Sequence, residues 1–165
     1  MEKSLYIIRH AKAEVPTFSK KDFDRDLLPK GVERATLIAH KLKELLPTVD
    51  EKTLVISSTA NRAAQTTKIF CDILGYPEAR IEWEPNVYEA HYLLLIKRIN
   101  DVAAEYERVL LFGHNPGLSS LVEYVSNHYT NLKTAHVAYL QLEEGLDYSL
   151  LSANTASLNQ IITEH

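Results

Sequence analysis

The chain has 165 residues, of which 45% are hydrophobic and 24% are charged, and its formal net charge is −4. This length and composition are typical of a globular protein, so we expect residues 1–165 to form a single domain without a disordered tract. The acidic balance disfavours a nucleic acid as partner, and no apolar run approaches the roughly 18 residues that would span a membrane.

The cysteine content and the first residues bear on the cellular compartment. Cys71 is the single cysteine of the sequence, so no internal disulfide can form. The first residues, Met1-Glu2-Lys3, open directly onto an apolar run, without the charged, apolar and small-residue succession of a signal peptide. These features predict a cytoplasmic protein.

The first predicted element is a strand over residues 5–8, which ends at Arg9 and His10. Its residues are apolar without alternation, which is typical of a strand buried on both faces of a parallel sheet. Open α/β sheets bind ligands in the crevice beyond the carboxyl ends of their strands. The arginine and the histidine therefore lie where we expect a binding site.

A polar stretch over residues 14–30 follows and shows no sustained periodicity. We interpret it as a long loop, and because it leaves from the same edge of the sheet, we expect a functional role for it. A helix is predicted over residues 31–46, where apolar side chains recur at helical spacing.

The next predicted strand covers residues 54–56 and runs into Ser57-Ser58-Thr59. This cluster can cap a helix that presents Arg62 in its first turn. A cation at that place opposes the helix dipole by about 0.3–1 kcal/mol, whereas a bound anion would turn the conflict into an attraction. Arg62 therefore indicates an anion site at this edge of the sheet.

A further strand, over residues 109–112, delivers His114 to the same edge. Gly113 permits close backbone approach, and Pro116 suits the first turn of a helix over residues 118–125. Two arginines and two histidines then share one site in a protein of negative net charge. This local positive charge predicts a small anionic ligand rather than a polyanion.

The remaining elements complete an α/β pattern. We predict a short strand over residues 81–83, a helix over residues 92–106, and a hairpin whose strands cover residues 135–142 and 146–151 around Glu143-Glu144-Gly145. Alternating strands and helices predict a parallel sheet with helices on both faces. The expected fold is α/β, a three-layer α/β/α sandwich whose mixed, mostly parallel sheet gains antiparallel strands late in the chain.

Other kinds of site are disfavoured by the residues themselves. Asn115 stands where an α/β-hydrolase needs its serine, and Pro77, six residues after Cys71, stands where a cysteine phosphatase needs arginine. Glycine-rich nucleotide motifs are missing from the sequence. Neither His10 nor His114 has metal ligands at short spacing, and the arginines would repel a divalent cation, so we expect no metal and no cofactor.

Three stretches together resemble the signatures of the histidine phosphatase superfamily, in particular its compact SixA-type phosphohistidine phosphatase branch. They are Arg9-His10, Ser58-x-x-x-Arg62-Ala63-x-Gln65-Thr66 and Gly113-His114-Asn115-Pro116. The resemblance keeps the family's order and spans about residues 5–117. It implies a phosphoglycerate mutase-like fold.

The resemblance also implies a metal-independent phosphatase that forms a phosphohistidine intermediate. His10 would be the nucleophile, and Arg9, Arg62 and His114 would bind the phosphoryl oxygens. Asn115 would lie beside them as a further phosphate ligand.

Two more residues receive a role from the resemblance. Glu89 resembles the position of the family's proton donor, although a glutamate there could equally begin a helix, where the dipole favours it. Arg25, in the long loop that flanks the site in the family, could contact the substrate, although the loop could equally be a solvated, charged surface loop.

The substrate and the partner stay open at this point. The SixA-type branch implies a phosphorylated protein that carries phosphohistidine. The alternatives are a small phosphorylated metabolite, hydrolysed or isomerised on the same scaffold, and a binding module that holds a phosphorylated partner without turnover.

Overall fold

A six-stranded sheet forms the centre of the computed structural model, which describes residues 2–46 and 48–165. In chain order its strands are β1 (Ser4–Arg9), β2 (Thr53–Ser57), β3 (Glu82–Trp83), β4 (Arg108–Gly113), β5 (Val137–Leu142) and β6 (Ala156–Ile162). They lie side by side in the order β3-β2-β4-β1-β5-β6. The first four are parallel, whereas β5 and β6 run antiparallel to their neighbours. The prediction of a mixed sheet with late antiparallel strands is confirmed.

Two pairs of helices cover the two faces of this sheet. One face carries α1 (Pro29–Leu45) and α2 (Asn61–Leu74), and the other carries α3 (Tyr92–Asn100) and α4 (Gly117–Ser126). Alternate residues of β1 belong to the two cores, with Tyr6 and Ile8 on the side of α1 and α2, and Leu5 and Ile7 on the side of α3 and α4. The three-layer α/β/α sandwich is therefore confirmed. None of the described helices is both long enough and apolar enough to cross a membrane.

Strand β1 is held rigidly in the middle of the sheet. Leu5, Ile7 and Ile8 are fully buried, and burial of each such side chain contributes about 1.5–3 kcal/mol to stability. Since β1 lies between β4 and β5, its backbone is hydrogen-bonded on both sides. The residues that follow β1 therefore leave from a fixed point.

The predicted position of the second hairpin strand is wrong. The strand that pairs with β5 is β6, while residues 148–150 form a single 3₁₀ turn. The hydroxyl of the buried Tyr148 donates to the carbonyl of Ser4 (2.7 Å), and Asn100 Nδ2 donates to the carbonyls of Tyr148 (2.8 Å) and Leu151 (3.2 Å). The apolar residues of this run are thus buried by a turn against α3, which an apolar pattern does not distinguish from a strand.

Two predicted helix boundaries also differ from the structure. Helix α1 begins at Pro29, which occupies its first turn, so the long loop ends at residue 28. Helix α3 ends at Asn100 rather than at residue 106. Beyond it the chain offers the carbonyl of Tyr106 to the ammonium group of the buried Lys3 (2.6 Å). That long-range contact competes with continuation of the helix.

Candidate active site

Both histidines follow the ends of neighbouring parallel strands. Arg9 at the end of β1 is paired with Gly113 at the end of β4, and His10 and His114 come directly after them. The amide of His10 donates to the carbonyl of Gly113 (3.0 Å). The two imidazole rings are buried, and their centroids lie 5.3 Å apart. The structure therefore brings the two predicted histidines into one site.

The ring of His10 is held in one tautomer. Its Nδ1 lies 2.8 Å from the carbonyl oxygen of Ala11, and because a carbonyl only accepts, Nδ1 carries the proton. The other nitrogen, Nε2, then holds a lone pair. Burial, together with the charges of Arg62 and Arg9, lowers the pKa of His10 from 6.5 to about 4. The ring is therefore neutral at pH 7, as a nucleophile must be.

The ring of His114 is oriented by Ser58. Its Nε2 lies 2.8 Å from Ser58 Oγ, and the same oxygen accepts from the amide of Ala60 (3.2 Å). The Ser58 hydroxyl can donate to Nε2, and in that arrangement the proton of His114 lies on Nδ1, where a ligand can accept it. Burial, and the charge of His10, lower the pKa of His114 from 6.5 to about 3. His114 is a neutral donor.

Arg62 lies in the first turn of α2, as predicted. The predicted cap is wrong, since Ala60 is the N-cap residue and the helix has no side-chain cap; Ser58 is committed to His114, and Ser57 to Thr67 (2.7 Å). The Arg62 side chain is only 6% exposed. An uncapped helix start with a buried guanidinium attracts an anion. Asp22, whose Oδ2 lies 3.1 Å from Arg62 Nη2, supplies part of that negative charge.

Arg9 and Asn115 converge on one carbonyl. Arg9 Nη1 donates to the carbonyl oxygen of Leu132 (3.0 Å), and Asn115 Nδ2 donates to the same oxygen (2.8 Å). Asn115 Oδ1 in turn accepts from the hydroxyl of Ser119 (2.8 Å). Both polar atoms of the Asn115 side chain are therefore engaged within the protein, and this residue lies next to Arg9 rather than at a free place beside His10.

The long loop is tied to the site by Arg25 and Asp26. Arg25 Nη1 donates to the carbonyl of Glu14 (2.6 Å), and its Nε lies 3.1 Å from Asp22 Oδ1 as an ion pair. Asp26 Oδ1 accepts from Gln65 Nε2 (2.8 Å) on α2. Arg25 therefore braces the loop across the mouth of the site, close enough for its charge to lower the pKa of His10.

Glu89 lies in the segment before α3. It is exposed, its backbone has a left-handed φ of 56°, and helix α3 starts only at Tyr92, with His91 as N-cap. Glu89 thus lies outside the first turn, where the helix dipole would favour it. With His114 and Asn115 it lines a cleft of about 430 Å³. This geometry places a carboxyl group at the edge of the site.

Three further residues of the site have no catalytic or binding role in the sequence-based interpretation, in which Ser58 belongs only to a capping cluster and to a family signature. Asp22 precedes Arg25 in the loop at a spacing that could have drawn attention to it. Tyr88, whose ring lies 5.4 Å from that of His114, has no signal in its sequence context. All three act through contacts between distant parts of the chain.

The unsatisfied polar atoms of the described structure gather in this site. Four buried side-chain nitrogens form no hydrogen bond among the described residues. Three of them, Arg9 Nε, Arg62 Nε and His114 Nδ1, have no partner of any kind there, whereas the fourth, Arg25 Nε, still has its ion-pair partner Asp22 at 3.1 Å. Buried donors without partners are costly, by about 1–3 kcal/mol each, and they mark the place where a ligand with several acceptor oxygens would be held. Within the described ranges, no group of three His, Cys, Asp or Glu residues is arranged to hold a metal ion.

The sequence is similar to known proteins over most of its length. The model of the histidine phosphatase superfamily (branch 1) matches residues 5–117. A curated, uncharacterized protein of Mycobacterium leprae is 29% identical over 127 residues, which cover 75% of this chain and 74% of that protein.

Two solved structures share the fold over nearly the whole chain. A candidate phosphohistidine phosphatase SixA of Agrobacterium tumefaciens is 25% identical, with 97% of both chains covered and a TM-score of 0.78. The protein histidine phosphatase SixA complexed with tungstate is 22% identical, with 98% of this chain and 97% of that chain covered and a TM-score of 0.80. The chain therefore belongs to the histidine phosphatase superfamily, branch 1, with a fold of the SixA type, and it is a phosphatase.

Proposed function

We propose that this phosphatase hydrolyses phosphohistidine on a protein, without a metal ion, through a phosphohistidine intermediate at His10, and that residues 1–165 act as one histidine phosphatase domain. One observation carries the proposal. The buried nitrogens without partners belong to arginines and a histidine that surround a neutral imidazole. The single cysteine is typical of proteins of the cytoplasm, which we propose as its compartment.

The first step transfers the phosphoryl group to the enzyme. Arg9, Arg62 and His114 Nδ1 donate to the phosphoryl oxygens, so that charge developing there is stabilised by donors already in place. His10 Nε2 attacks phosphorus in line with the leaving nitrogen, and a new N–P bond forms as the old one breaks. A substrate imidazole protonated on its other nitrogen leaves as a neutral ring and needs no further proton.

The second step returns the enzyme to its starting state. Water attacks phosphorus, the bond to His10 Nε2 breaks, and inorganic phosphate is released while the proton of the water passes to solvent or to phosphate. Because Nδ1 stays bonded to the Ala11 carbonyl, the ring keeps its tautomer through both steps. The low pKa of the free ring favours the neutral form that begins the next cycle.

A macromolecular substrate is favoured by exposed apolar side chains on the long loop after β1. Phe18 and Val15 lie on the loop that Arg25 and Asp26 tie to the site, and both side chains are largely in solvent. Exposed aromatic side chains are frequent on surfaces that contact another protein, and we propose that this loop forms such a surface. A phosphorylated side chain can then reach His10 while its carrier rests on this loop.

A second candidate function is the hydrolysis of small phosphate esters. The observation in its favour is the cleft that Glu89 shares with His114, since an alkoxide leaving group needs a proton donor at this place. Both polar atoms of the Asn115 side chain are hydrogen-bonded within the protein. We therefore propose that Asn115 orients Arg9, whichever substrate is hydrolysed, and does not bind phosphate through its side chain.

Trapping the phosphoenzyme tests the proposal. Rapid quench during turnover of radiolabelled phosphoramidate, with a chelator present, should yield a phosphoenzyme that is stable in alkali and lost in acid. His10→Ala should yield none, and His40→Ala, which removes an exposed histidine of α1, should behave as wild type. An acid-stable adduct, an adduct in His10→Ala, or activity that the chelator abolishes would contradict the proposed mechanism.

The substrate is tested by a panel at equal phosphate concentration. Phosphohistidine on a small carrier protein should be hydrolysed with the highest kcat/KM, followed by phosphoramidate, with sugar phosphates last. A preference for sugar phosphates would instead support the second candidate function.

A further inference from the structure

The guanidinium group of Arg62 is held by a single residue of the long loop. Arg62 Nη1 donates to the backbone carbonyl of Asp22 (2.7 Å), and Nη2 donates to Asp22 Oδ2 (3.1 Å). Asp22 thus contacts both terminal nitrogens, while Nε stays buried and without a partner among the described residues. The edge of the guanidinium that contains Nε remains available for a ligand.

Asp22 is itself held by Tyr88. The phenol hydroxyl donates to Asp22 Oδ2 (2.6 Å), and the same carboxylate forms the ion pair with Arg25. The Tyr88 ring packs edge-on against Phe23 (5.1 Å) and His114 (5.4 Å) and lies 5.8 Å from the guanidinium carbon of Arg62. The carboxylate therefore joins the loop, helix α2 and the segment before α3 at one point.

We propose that Asp22 is a positioning residue of the phosphatase reaction, which holds Arg62 in the orientation that directs its Nε edge to the phosphoryl group, and that Tyr88 fixes Asp22 for this task. The inference rests on the proposed function, in which Arg62 binds a phosphoryl oxygen. An arginine side chain has large rotamer freedom, and an unbraced guanidinium would lose it only when substrate binds. A brace made beforehand removes that cost from the transition state.

A carboxylate beside an anion site needs an explanation, because it would repel phosphate. Here its charge is compensated by Arg62 and Arg25 and by the phenol. The hydrogen bond from Tyr88, together with Arg62, lowers the pKa of Asp22 below its ordinary value, so it stays ionised at neutral pH. Asp22 therefore has no proton to give a leaving group, and its effect passes through Arg62.

Four variants test the proposal. Asp22→Ala removes the carboxylate, and Asp22→Asn removes the charge but keeps an oxygen that can accept from Arg62 Nη2. Tyr88→Phe removes only the hydroxyl, so the ring packing against Phe23 and His114 remains. Asp24→Asn is the matched control, because it makes the same change of charge on the same exposed turn, and no side-chain bond of Asp24 occurs among the described residues.

The measurements are kcat and KM for phosphoramidate, the inhibition constant of inorganic phosphate, the calorimetric affinity for phosphate, and the melting temperature. Asp22→Ala should lower kcat by roughly 10- to 100-fold and weaken phosphate binding, with little change in melting temperature, since the Asp22 side chain is 43% exposed. Asp22→Asn should recover most of kcat, Tyr88→Phe should show a smaller loss in the same direction, and Asp24→Asn should match wild type.

Three results would overturn the inference. The first is that Asp22→Ala keeps the wild-type kcat and phosphate affinity. The second is that Asp22→Ala loses activity only in proportion to a fall in melting temperature. The third is that Asp22→Ala binds phosphate more tightly, which would make the carboxylate a competitor of phosphate for Arg62. The proposed function fails separately, if wild type forms no phosphoenzyme. Phosphate affinity measured by calorimetry still tests Asp22 in that event.

Discussion

The imidazole rings of His10 and His114 lie 5.3 Å apart at the ends of adjacent strands, and each is kept neutral mainly by burial. Charge on His10 lowers the pKa of His114 further, so the two rings do not become protonated together. The pair therefore provides a nucleophile and a neutral donor over the same range of pH.

The first prediction concerns stability between pH 4 and pH 6.5. The folded protein holds both rings neutral down to about pH 4 or below, whereas histidine in the unfolded chain takes up a proton near pH 6.5. The unfolded state binds more protons in this window, so the free energy of unfolding falls as the pH is lowered through it. Thermal melts of wild type and His10→Asn should show a steeper pH dependence in wild type, and equal slopes would contradict the low pKa of His10. His40→Ala, the exposed-histidine control, should keep the wild-type slope.

The second prediction concerns Ser58. Ser58→Ala leaves Nε2 of His114 without its partner, which should cost about 1–3 kcal/mol of stability and free the ring to change tautomer. Activity on phosphoramidate should fall by roughly tenfold or more. Nitrogen NMR of the imidazole should report the change of tautomer. Ser57→Ala, which removes the bond to Thr67 instead, should lose stability and keep the His114 tautomer, and an unchanged spectrum in Ser58→Ala would remove Ser58 from the site.

The third prediction separates the two candidate substrates through Glu89. A phosphohistidine needs little help from a proton donor, whereas an alkyl phosphate gains roughly 10²–10⁴ in rate from one. Glu89→Gln should therefore barely change kcat/KM for phosphoramidate and should markedly slow any alkyl phosphate that wild type accepts. If Glu89→Gln changes kcat/KM only slightly for both substrates, Glu89 has no catalytic role. If it lowers kcat/KM strongly for both, phosphate esters are favoured as the natural substrates.

The fourth prediction concerns the close approach between Gly117 and the segment that carries Glu89. A Cβ atom at Gly117 would lie 2.2 Å from the carbonyl oxygen of Ala90, so the backbone must move. Gly117→Ala should cost about 1–3 kcal/mol of stability and, beyond that, lower the rate on alkyl phosphates by displacing Glu89. Gly75→Ala is the control, because it strains a left-handed helix end with open space around it and should lower stability without changing the kinetics. Identical kinetics in both variants would disprove the link to Glu89.

The fifth prediction concerns the exposed Phe18. Phe18→Ser should lower kcat/KM for a phosphohistidine protein and leave kcat/KM for phosphoramidate unchanged, since the ring lies outside the phosphate pocket. Thr17→Ser, on the same loop, should change neither. A parallel loss on both substrates would mean that Phe18 shapes the loop rather than contacts a protein.

The sequence predicts those parts of the fold that depend on neighbouring residues. The apolar run of residues 5–8 and the helical spacing after residue 31 identify a buried strand and a helix, because the period of burial is local. The apolar run at residues 146–151 does not identify its element correctly, because the burial of Tyr148 depends on a hydrogen bond to Ser4, which is far away in the chain. An apolar pattern alone cannot show that partner.

The residues of the site also form two groups, those that local sequence patterns predict and those that they do not. His10, Arg62 and His114 stand at the ends or starts of regular elements, where local patterns indicate exposure to a shared crevice. Asp22 and Tyr88 lie in irregular segments 66 residues apart, and their meeting is decided by the packing of the loop against α2 and the segment before α3. No spacing in the sequence encodes that contact.

The position of β1 has a consequence for any shortened form of the protein. The family signatures end at residue 117, yet the strand that completes one side of β1 is β5. A fragment that stops after the signatures would contain both histidines and both arginines, but it would expose an unpaired, apolar strand edge. Such edges pair with other chains, so this fragment is expected to aggregate rather than to hydrolyse a phosphorylated substrate.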